Sequence, residues 1–257
     1  MAPGGARSTR LTAGPVVVRG RPIRYRTAGD GPPVVLVHGL AGSHRYLGAT
    51  VEALAERHRV AVVDLPGFGA LHRWRRDFAL GTAAGWLRDW MRAIGAPRAH
   101  VIGHSMGGFI AARLALETPE AVDRLILVAP AGLPTGQSMA RHLAGMARML
   151  AQGPPRSLVL MLPDALRAGP GTLWRVGRDL LAQDLTGELG AIRAPTLVVW
   201  AEDDPVLAPA LGVRFRAGIP SCRLLRLPGG GHLPMLTRPR EFHAALLKFL
   251  AGEDVGE

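Results

Sequence analysis

The segment of this chain best suited to covalent chemistry is Gly103-His104-Ser105-Met106-Gly107-Gly108. It is a G-x-S-x-G pattern lying between an apolar run, Ala99–Gly103, that reads as a strand, and a run rich in small residues, Met106–Thr118, that reads as a helix. A strand turning into a helix within about one residue holds the serine in a strained conformation. Gly103 and Gly107 lack the Cβ atoms that would collide across such a turn. The turn lifts the Ser105 hydroxyl clear of the sheet and sets it by a helix N-terminus, where a developing negative charge is favoured. A serine hydroxyl needs a base within hydrogen-bond reach. Of nine histidines, His232 is best placed, because Gly229-Gly230-Gly231-His232 joins the last strand-like run to the final helix, at the sheet edge that also carries Ser105. His100 precedes a strand and His243 lies within a helix, so both read as structural. His104 adjoins Ser105 and is expected to point away from its hydroxyl. The imidazole in turn needs a carboxylate to hold its tautomer. The acids at a strand end between Ser105 and His232 are Glu202, Asp203 and Asp204, while the other strand end, after Ala129, offers none. Elimination leaves those three open. For an oxyanion, Met106 supplies one backbone N–H, and the loop His38-Gly39-Leu40-Ala41-Gly42-Ser43 supplies another from Leu40.

The elements that must carry these residues alternate between short β-branched runs and longer helical patterns, as in an α/β sheet protein. Eight runs read as strands: Val16–Arg19, Arg21–Thr27, Val34–His38, Arg59–Asp64, Ala99–Gly103, Leu125–Ala129, Thr196–Trp200 and Arg223–Leu227. Val34-Val35-Leu36-Val37 and Leu125-Ile126-Leu127-Val128 are continuously apolar, which marks parallel strands covered on both faces. The first two runs, parted by Gly20, read as an antiparallel hairpin at one edge. Helices are expected near Ser43–Glu56, Gly81–Ile94, Met106–Thr118, Ala208–Ala217 and Pro239–Ala251. Between 131 and 190 the alternation stops, helical patterns follow one another, and Met139, Met146, Met149 and Met161 concentrate. This stretch reads as a helical insertion. The expected organisation is a tail over 1–14, a core α/β domain over 15–130 and 191–251 interrupted by the insertion at 131–190, and a second tail over 252–257.

Composition narrows the alternatives. At 257 residues with 48% hydrophobic content the chain has length and apolar residues enough for a large core, which excludes disorder as its main state. One cysteine, Cys222, excludes an intrachain disulfide framework and a cysteine-rich metal site. No apolar run approaches the ~18 residues of a membrane span and no leader pattern opens the sequence, so a cytoplasmic protein is expected. The formal net charge of +11 would ordinarily suggest nucleic acid. However, all but one of the 31 Lys and Arg residues are Arg, the exception being Lys248. They are scattered, with no helix-turn-helix, zinc-finger or aromatic RNA-binding pattern around them, so no nucleic-acid partner is expected.

Together, Val37-His38-Gly39, Val63-Asp64-Leu65-Pro66-Gly67-Phe68-Gly69, the turn around Ser105, Trp200–Val206 and Gly231-His232 resemble the α/β-hydrolase fold family, in its capped esterase, lipase-like and C–C hydrolase group. The likeness runs from about Pro15 to Ala251. It implies a mostly parallel eight-stranded sheet flanked by helices, with a helical cap insertion. It also implies the order nucleophile, acid, base as Ser105, Asp204, His232, the acid standing one residue before Pro205. Leu40 and Met106 would form the oxyanion hole, with His38, Gly39, Gly103 and Gly107 in support. Asp64 takes a structural turn position. The sequence departs from the family pattern at Ala201, often Gly, at Thr237, often an acid, and over Ala70–Arg73, where a small polar residue is usual. The implied activity is hydrolysis of a carboxylic ester with an apolar acyl or aryl group through an acyl-enzyme, with no metal or organic cofactor. A C–C bond hydrolase acting on a keto-dienoate is the alternative, since Ser-Met-Gly-Gly and Trp-x-x-Asp-Asp suit that branch too. A non-catalytic ligand-binding protein on the same fold is the remaining one. Oligomeric state is not encoded in any motif.

Overall fold

A computed structural model describes residues 12–75 and 78–256. Its eight strands are β1 (Thr12–Val18), β2 (Arg21–Ala28), β3 (Pro33–Val37), β4 (Arg59–Val62), β5 (Ala99–His104), β6 (Val122–Val128), β7 (Thr196–Ala201) and β8 (Cys222–Leu227). They form one sheet in the order β1-β2-β4-β3-β5-β6-β7-β8. β1 pairs antiparallel with β2, and β2 antiparallel with β4, while β4, β3, β5, β6, β7 and β8 are parallel. The edge hairpin closes over Arg19 and Gly20, both at positive φ, the backbone twist that a two-residue connection between strands requires.

The central strands are buried because helices cover the sheet. Every residue of β7 is buried, as are Val34–Val37 of β3. The helices are α1 (Gly48–Ala55), α2 (Ala83–Ala93), α3 (Met106–Glu117), α4 (Met139–Gln152), α5 (Pro155–Ala168), α6 (Pro170–Leu181), α7 (Ala210–Gly218), α8 (Pro234–Thr237) and α9 (Pro239–Leu250). α1 packs with α9, α2 with α3, and α7 against β7 and β8. Trp90 and Trp200 are the largest fully buried side chains. α4, α5 and α6 all fall between β6 and β7 in the chain, over the stretch where no strand interrupts the helical pattern.

Some boundaries differ from the sequence reading. The tail expected over 1–14 lies outside the described residues as far as Leu11, but Thr12, Ala13 and Gly14 belong to β1 and pair with Thr27, Arg26 and Tyr25. Their small and polar side chains carry no strand signal, yet Gly14 suits this place because a Cβ there would stand 3.2 Å from the Tyr25 ring. The expected C-terminal tail is held at its start. Gly252 N–H donates to the Phe249 carbonyl, Glu253 N–H to that of Lys248, and Arg223 pairs with Asp254 at 2.8 Å; Glu257 lies outside the described residues. The helix expected over Ser43–Glu56 is a 3-10 turn, His44–Leu47, followed by α1. β6 begins at Val122, three residues before the apolar run: half-buried Asp123 and Arg124 break the hydrophobic signal, and the pairing with β5 shifts register across them, from Ala99–Val122 to Val101–Leu125.

This topology sets the site. The loops after β3, β5, β7 and β8 all leave the C-terminal ends of parallel strands, so they gather on one edge of the sheet, where open α/β sheets form their crevices.

Candidate active site

The turn after β5 carries Ser105 at φ 54°, ψ −115°. For a residue with a side chain this is a strained conformation, of the kind that clusters at functional sites. Its surroundings impose it. Ser105 N–H donates to the Val128 carbonyl at 2.9 Å, and the Ser105 carbonyl accepts from Phe109 and Ala131, both at 3.1 Å. The flanking glycines let the backbones close in: a Cβ on Gly103 would lie 2.2 Å from the Gly107 carbonyl oxygen, and one on Gly107 would lie 2.3 Å from that of Val37.

After β7 the three acids separate by what they touch. Asp204 Oδ2 pairs with His232 Nδ1 at 2.7 Å, and Asp204 Oδ1 accepts the N–H groups of Val206 at 2.8 Å and Leu207 at 3.1 Å. Asp203 Oδ1 instead accepts from Gly231 N–H at 2.8 Å and braces the His232 loop. Glu202 is exposed and joins β8 through its backbone. Thus Asp204 holds the imidazole, and both side chains are buried. With Nδ1 engaged, Nε2 is the ring nitrogen left for a hydroxyl. Ser105 and His232 line the same cavity, and among the described residues the Ser105 hydroxyl has no hydrogen-bond partner. Hydrogen bonds of this kind commonly close only when substrate is in place.

Beside them, two backbone donors are unspent. Met106 is the first residue of α3, so its N–H has no carbonyl within the helix, and among the described residues neither it nor Leu40 N–H meets a backbone acceptor elsewhere. Gly39 N–H is already used, donating to Tyr46 Oη at 2.7 Å. His38 fixes the loop's shape: Nδ1–H donates to the Gly39 carbonyl at 2.8 Å and Nε2 accepts from Leu65 N–H at 2.9 Å. Burial lowers the pKa of His38 against the opposing charge of Asp64, which keeps this ring neutral and its two roles distinct.

Asp64 anchors the neighbouring turn, accepting from His44 N–H and Ala70 N–H, both at 2.7 Å, and pairing with His44 Nδ1 at 2.9 Å. Burial alone would raise its pKa, but the hydrogen bond from His44, the fields of His38 and His44 and the Ala70 N–H hold it at about 2. Its place is structural. The 3-10 turns at Gly69–Trp74 follow it, and Arg76 lies outside the described residues.

Sequence reasoning missed one group of residues. Tyr46 Oη, having accepted from Gly39, donates to His104 Nδ1 at 2.9 Å, and His104 Nε2–H donates to the backbone carbonyl of His232 at 2.8 Å. Burial first, and His232 second, push the His104 pKa well down, so this ring is neutral as the relay requires. His104 thus ties the loop after β3, through Tyr46 and Gly39, to the His232 loop. The only signal for it was its position next to Ser105; Tyr46 left none.

Over this floor lies a cavity of about 390 Å³, roofed by α4, α5 and α6. Met139, Met146, Met149 and Met161 all line it, with Leu143, Leu173, Leu180 and Leu181, while Leu40, Val206 and Leu207 lie toward the floor. Among the described residues lining it, none is Arg, Lys, Asp or Glu. The six arginines of α4–α6 therefore do not face the site. A buried polar link joins floor and roof: Ser43 Oγ donates to Asp164 Oδ2 at 2.5 Å, deep between the loop after β3 and α5. Among the described residues no group of three or more His, Cys, Asp or Glu side chains converges as a metal would require.

A family profile described as the alpha/beta hydrolase fold matches residues 32–174. A pimeloyl-[acyl-carrier protein] methyl ester esterase of Nitrosomonas europaea is 31% identical, over 86% of this chain and 96% of its own length. A candidate carbamate hydrolase, RutD, of Variovorax paradoxus is 32% identical over 90% of this chain and 96% of its own. Among solved structures, a bacterial membrane phospholipase A superposes with a TM-score of 0.84 at 27% identity, covering 95% of this chain and 87% of that one.

Proposed function

The chain belongs to the alpha/beta hydrolase fold family, and on that premise we propose that it is a serine hydrolase of carboxylic esters with an apolar acyl or aryl group. The observation that carries this reading is the Asp204–His232 contact at 2.7 Å beside a strained Ser105 in one shared cavity. In this mechanism Ser105 Oγ attacks the ester carbonyl as His232 Nε2 takes its proton. Asp204 holds the ring through Nδ1 and stabilises the cation that forms. The N–H groups of Leu40 and Met106 receive the tetrahedral oxyanion, each such donor contributing about 10²–10³ in rate. His232 then protonates the departing alcohol. Water, deprotonated by the same nitrogen, attacks the acyl-enzyme, releases the acid and restores Ser105.

The relatives named as a methyl ester esterase and as a candidate carbamate hydrolase both transfer an acyl-type carbon to water, which this constellation serves. The cavity favours an apolar acyl arm. Its methionines are flexible and polarizable, suited to irregular apolar ligands. It does not favour a keto-dienoate, whose negative charge would find no Arg or Lys among the described lining residues. α4–α6 act in this reading as a cap over the acyl site. The test is a fluorophosphonate probe with a panel of p-nitrophenyl esters. The expected result is one adduct, at Ser105, with hydrolysis falling by about 10⁴-fold or more in Ser105→Ala. Ester turnover undiminished in Ser105→Ala overturns the proposal.

A further inference from the structure

The outer face of the helices above the cavity is dressed unlike the rest of the surface. Of the eight large apolar side chains exposed among the described residues, six lie on α4–α6: Leu143, Leu158, Val159, Leu162, Leu166 and Trp174. Four of these share α5. Leu158, Leu162 and Leu166 are spaced by four, and Val159 precedes Leu162 by three and Leu166 by seven, so the four side chains form a stripe along one side of the helix. The opposite side of α5, with Ser157, Met161, Asp164 and Ala168, is the buried one. Val159 is 65% exposed and Leu166 71%, so the stripe is open along its length. A continuous apolar patch of this kind marks a binding surface rather than ordinary surface scatter.

Charge decides what it fits. α4–α6 carry six arginines, Arg141, Arg148, Arg156, Arg167, Arg175 and Arg178, against two acids, Asp164 and Asp179. Asp164 is buried against Ser43 and pairs with Arg167, and Asp179 pairs with Arg178. Arg156 and Arg175 donate to carbonyls of Leu236 and of Phe78 and Arg75, so among the described residues four of the six arginines have no acid partner. A second copy of the chain, at a formal charge of +11, would bring like charge to like. An apolar stripe beside arginines, with a tryptophan nearby, is the pattern of a helix that lies in the headgroup region of an anionic bilayer. No helix among the described residues is long and apolar enough to cross a membrane, so contact would be with the surface alone.

We propose that α4–α6 dock this protein on an anionic lipid surface, with the Leu158–Leu166 stripe inserted among the acyl chains and the arginines at the headgroups. Leu143 and Trp174 belong both to the exposed set and to the cavity wall, so the cavity opens beside the docking face. An acyl chain would then pass from the bilayer to the cavity without crossing bulk water. That consequence rests on the ester-hydrolase reading; the docking does not.

Flotation of the full chain with vesicles of phosphatidylcholine, with and without phosphatidylglycerol, tests it. Binding is expected only with the anionic lipid, and is expected to weaken at least tenfold in molar salt. The variants Val159→Asp and Leu166→Asp, neither of which lines the cavity, should lose binding at least tenfold. They should keep the wild-type melting temperature and the wild-type hydrolysis of a short water-soluble ester. Equal binding to both vesicle types, anionic binding that these variants leave unchanged, or no flotation at all overturns the proposal. So does a dimer in sedimentation that these variants abolish, which would assign the stripe to a second copy. If the short ester is not hydrolysed while flotation behaves as expected, the ester-hydrolase reading fails and the docking stands.

Discussion

The floor of the site and the helices above it solve the burial of polar groups in opposite ways. On the floor the polar side chains around the Ser105 hydroxyl each have a defined partner and direction. Gly39 N–H gives to Tyr46, Tyr46 to His104, His104 to the His232 carbonyl, and His232 shares its Nδ1 proton with Asp204. The roof tolerates omissions. His142 Nε2 and Ser157 Oγ are buried there with no hydrogen-bond partner among the described residues, and α5 runs through Pro163, which cannot donate its own helical bond. Its outer face leaves leucines in solvent while its inner face offers methionines. A satisfied network is stiff, because any displacement strands a donor or acceptor at a cost of about 1–3 kcal/mol. A roof with loose ends and flexible side chains deforms cheaply. In the proposed ester hydrolase the difference suits a centre that holds reacting atoms still beneath a wall that accepts an acyl chain.

The same substitution made in both regions should therefore act with opposite sign. In Gly107→Ala the new Cβ would sit 2.3 Å from the Val37 carbonyl oxygen, backbone against backbone, so α3 would have to leave β3. A loss of about 3 kcal/mol is expected. Gly171→Ala, in the first turn of α6, meets nothing within 4 Å and should stabilise by about 0.5 kcal/mol through a less flexible unfolded chain. Urea denaturation reads both. Equal effects from the two would mean that floor and roof are packed alike.

Tyr46→Phe probes the network with a smaller change. It removes one oxygen and leaves two groups unpaired, the Gly39 N–H and His104 Nδ1. The expected outcome is a ten- to hundredfold fall in kcat with KM within about twofold, since the loop presenting Leu40 and the loop presenting His232 both lose their tie. A purely structural Tyr46 would lower the melting temperature and leave kcat per folded molecule intact, and that result would reduce the network to packing.

How far each region could be read beforehand follows the same divide. Ser105, Gly103 and Gly107 are legible because their constraint is local: backbone atoms within a few residues would overlap any Cβ. The sheet is legible because covered parallel strands must be continuously apolar, as Val34–Val37 are. Asp204 stood open among three acids on spacing alone, and the resemblance selected it through Pro205; its contact with His232 matches that selection. Tyr46 was not legible. Its partner His104 lies 58 residues on, and a hydrogen bond between distant elements imposes no period on either. The α5 stripe was hidden for another reason. Helical periodicity reveals that a helix has an apolar side, but here both sides carry apolar residues, and only the packing of Met161 and Asp164 shows which one faces inward.

The floor's neutrality can also be titrated. Burial lowers the pKa of His104 and of His38 below their ordinary 6.5. Between those depressed values and 6.5 the unfolded chain binds protons that the fold excludes. Stability should thus fall as pH drops below about 6.5, by up to about 1.4 kcal/mol per pH unit for each such histidine, and level off above it. Asp64 works in a separate window. Its folded value of about 2 lies below the ordinary 3.8, so its contribution is complete above that value and is lost as pH falls toward 2. Protonating His104 would also reverse the network, since a ring with two N–H donors can no longer accept from Tyr46. His104→Gln keeps one donor and one acceptor without the titration. Its stability should decline less steeply than the wild type's from pH 6.5 to 5, in urea melts at half-unit steps. Parallel declines would place the excluded proton on another buried histidine and leave the floor's rigidity to Asp204 and His38.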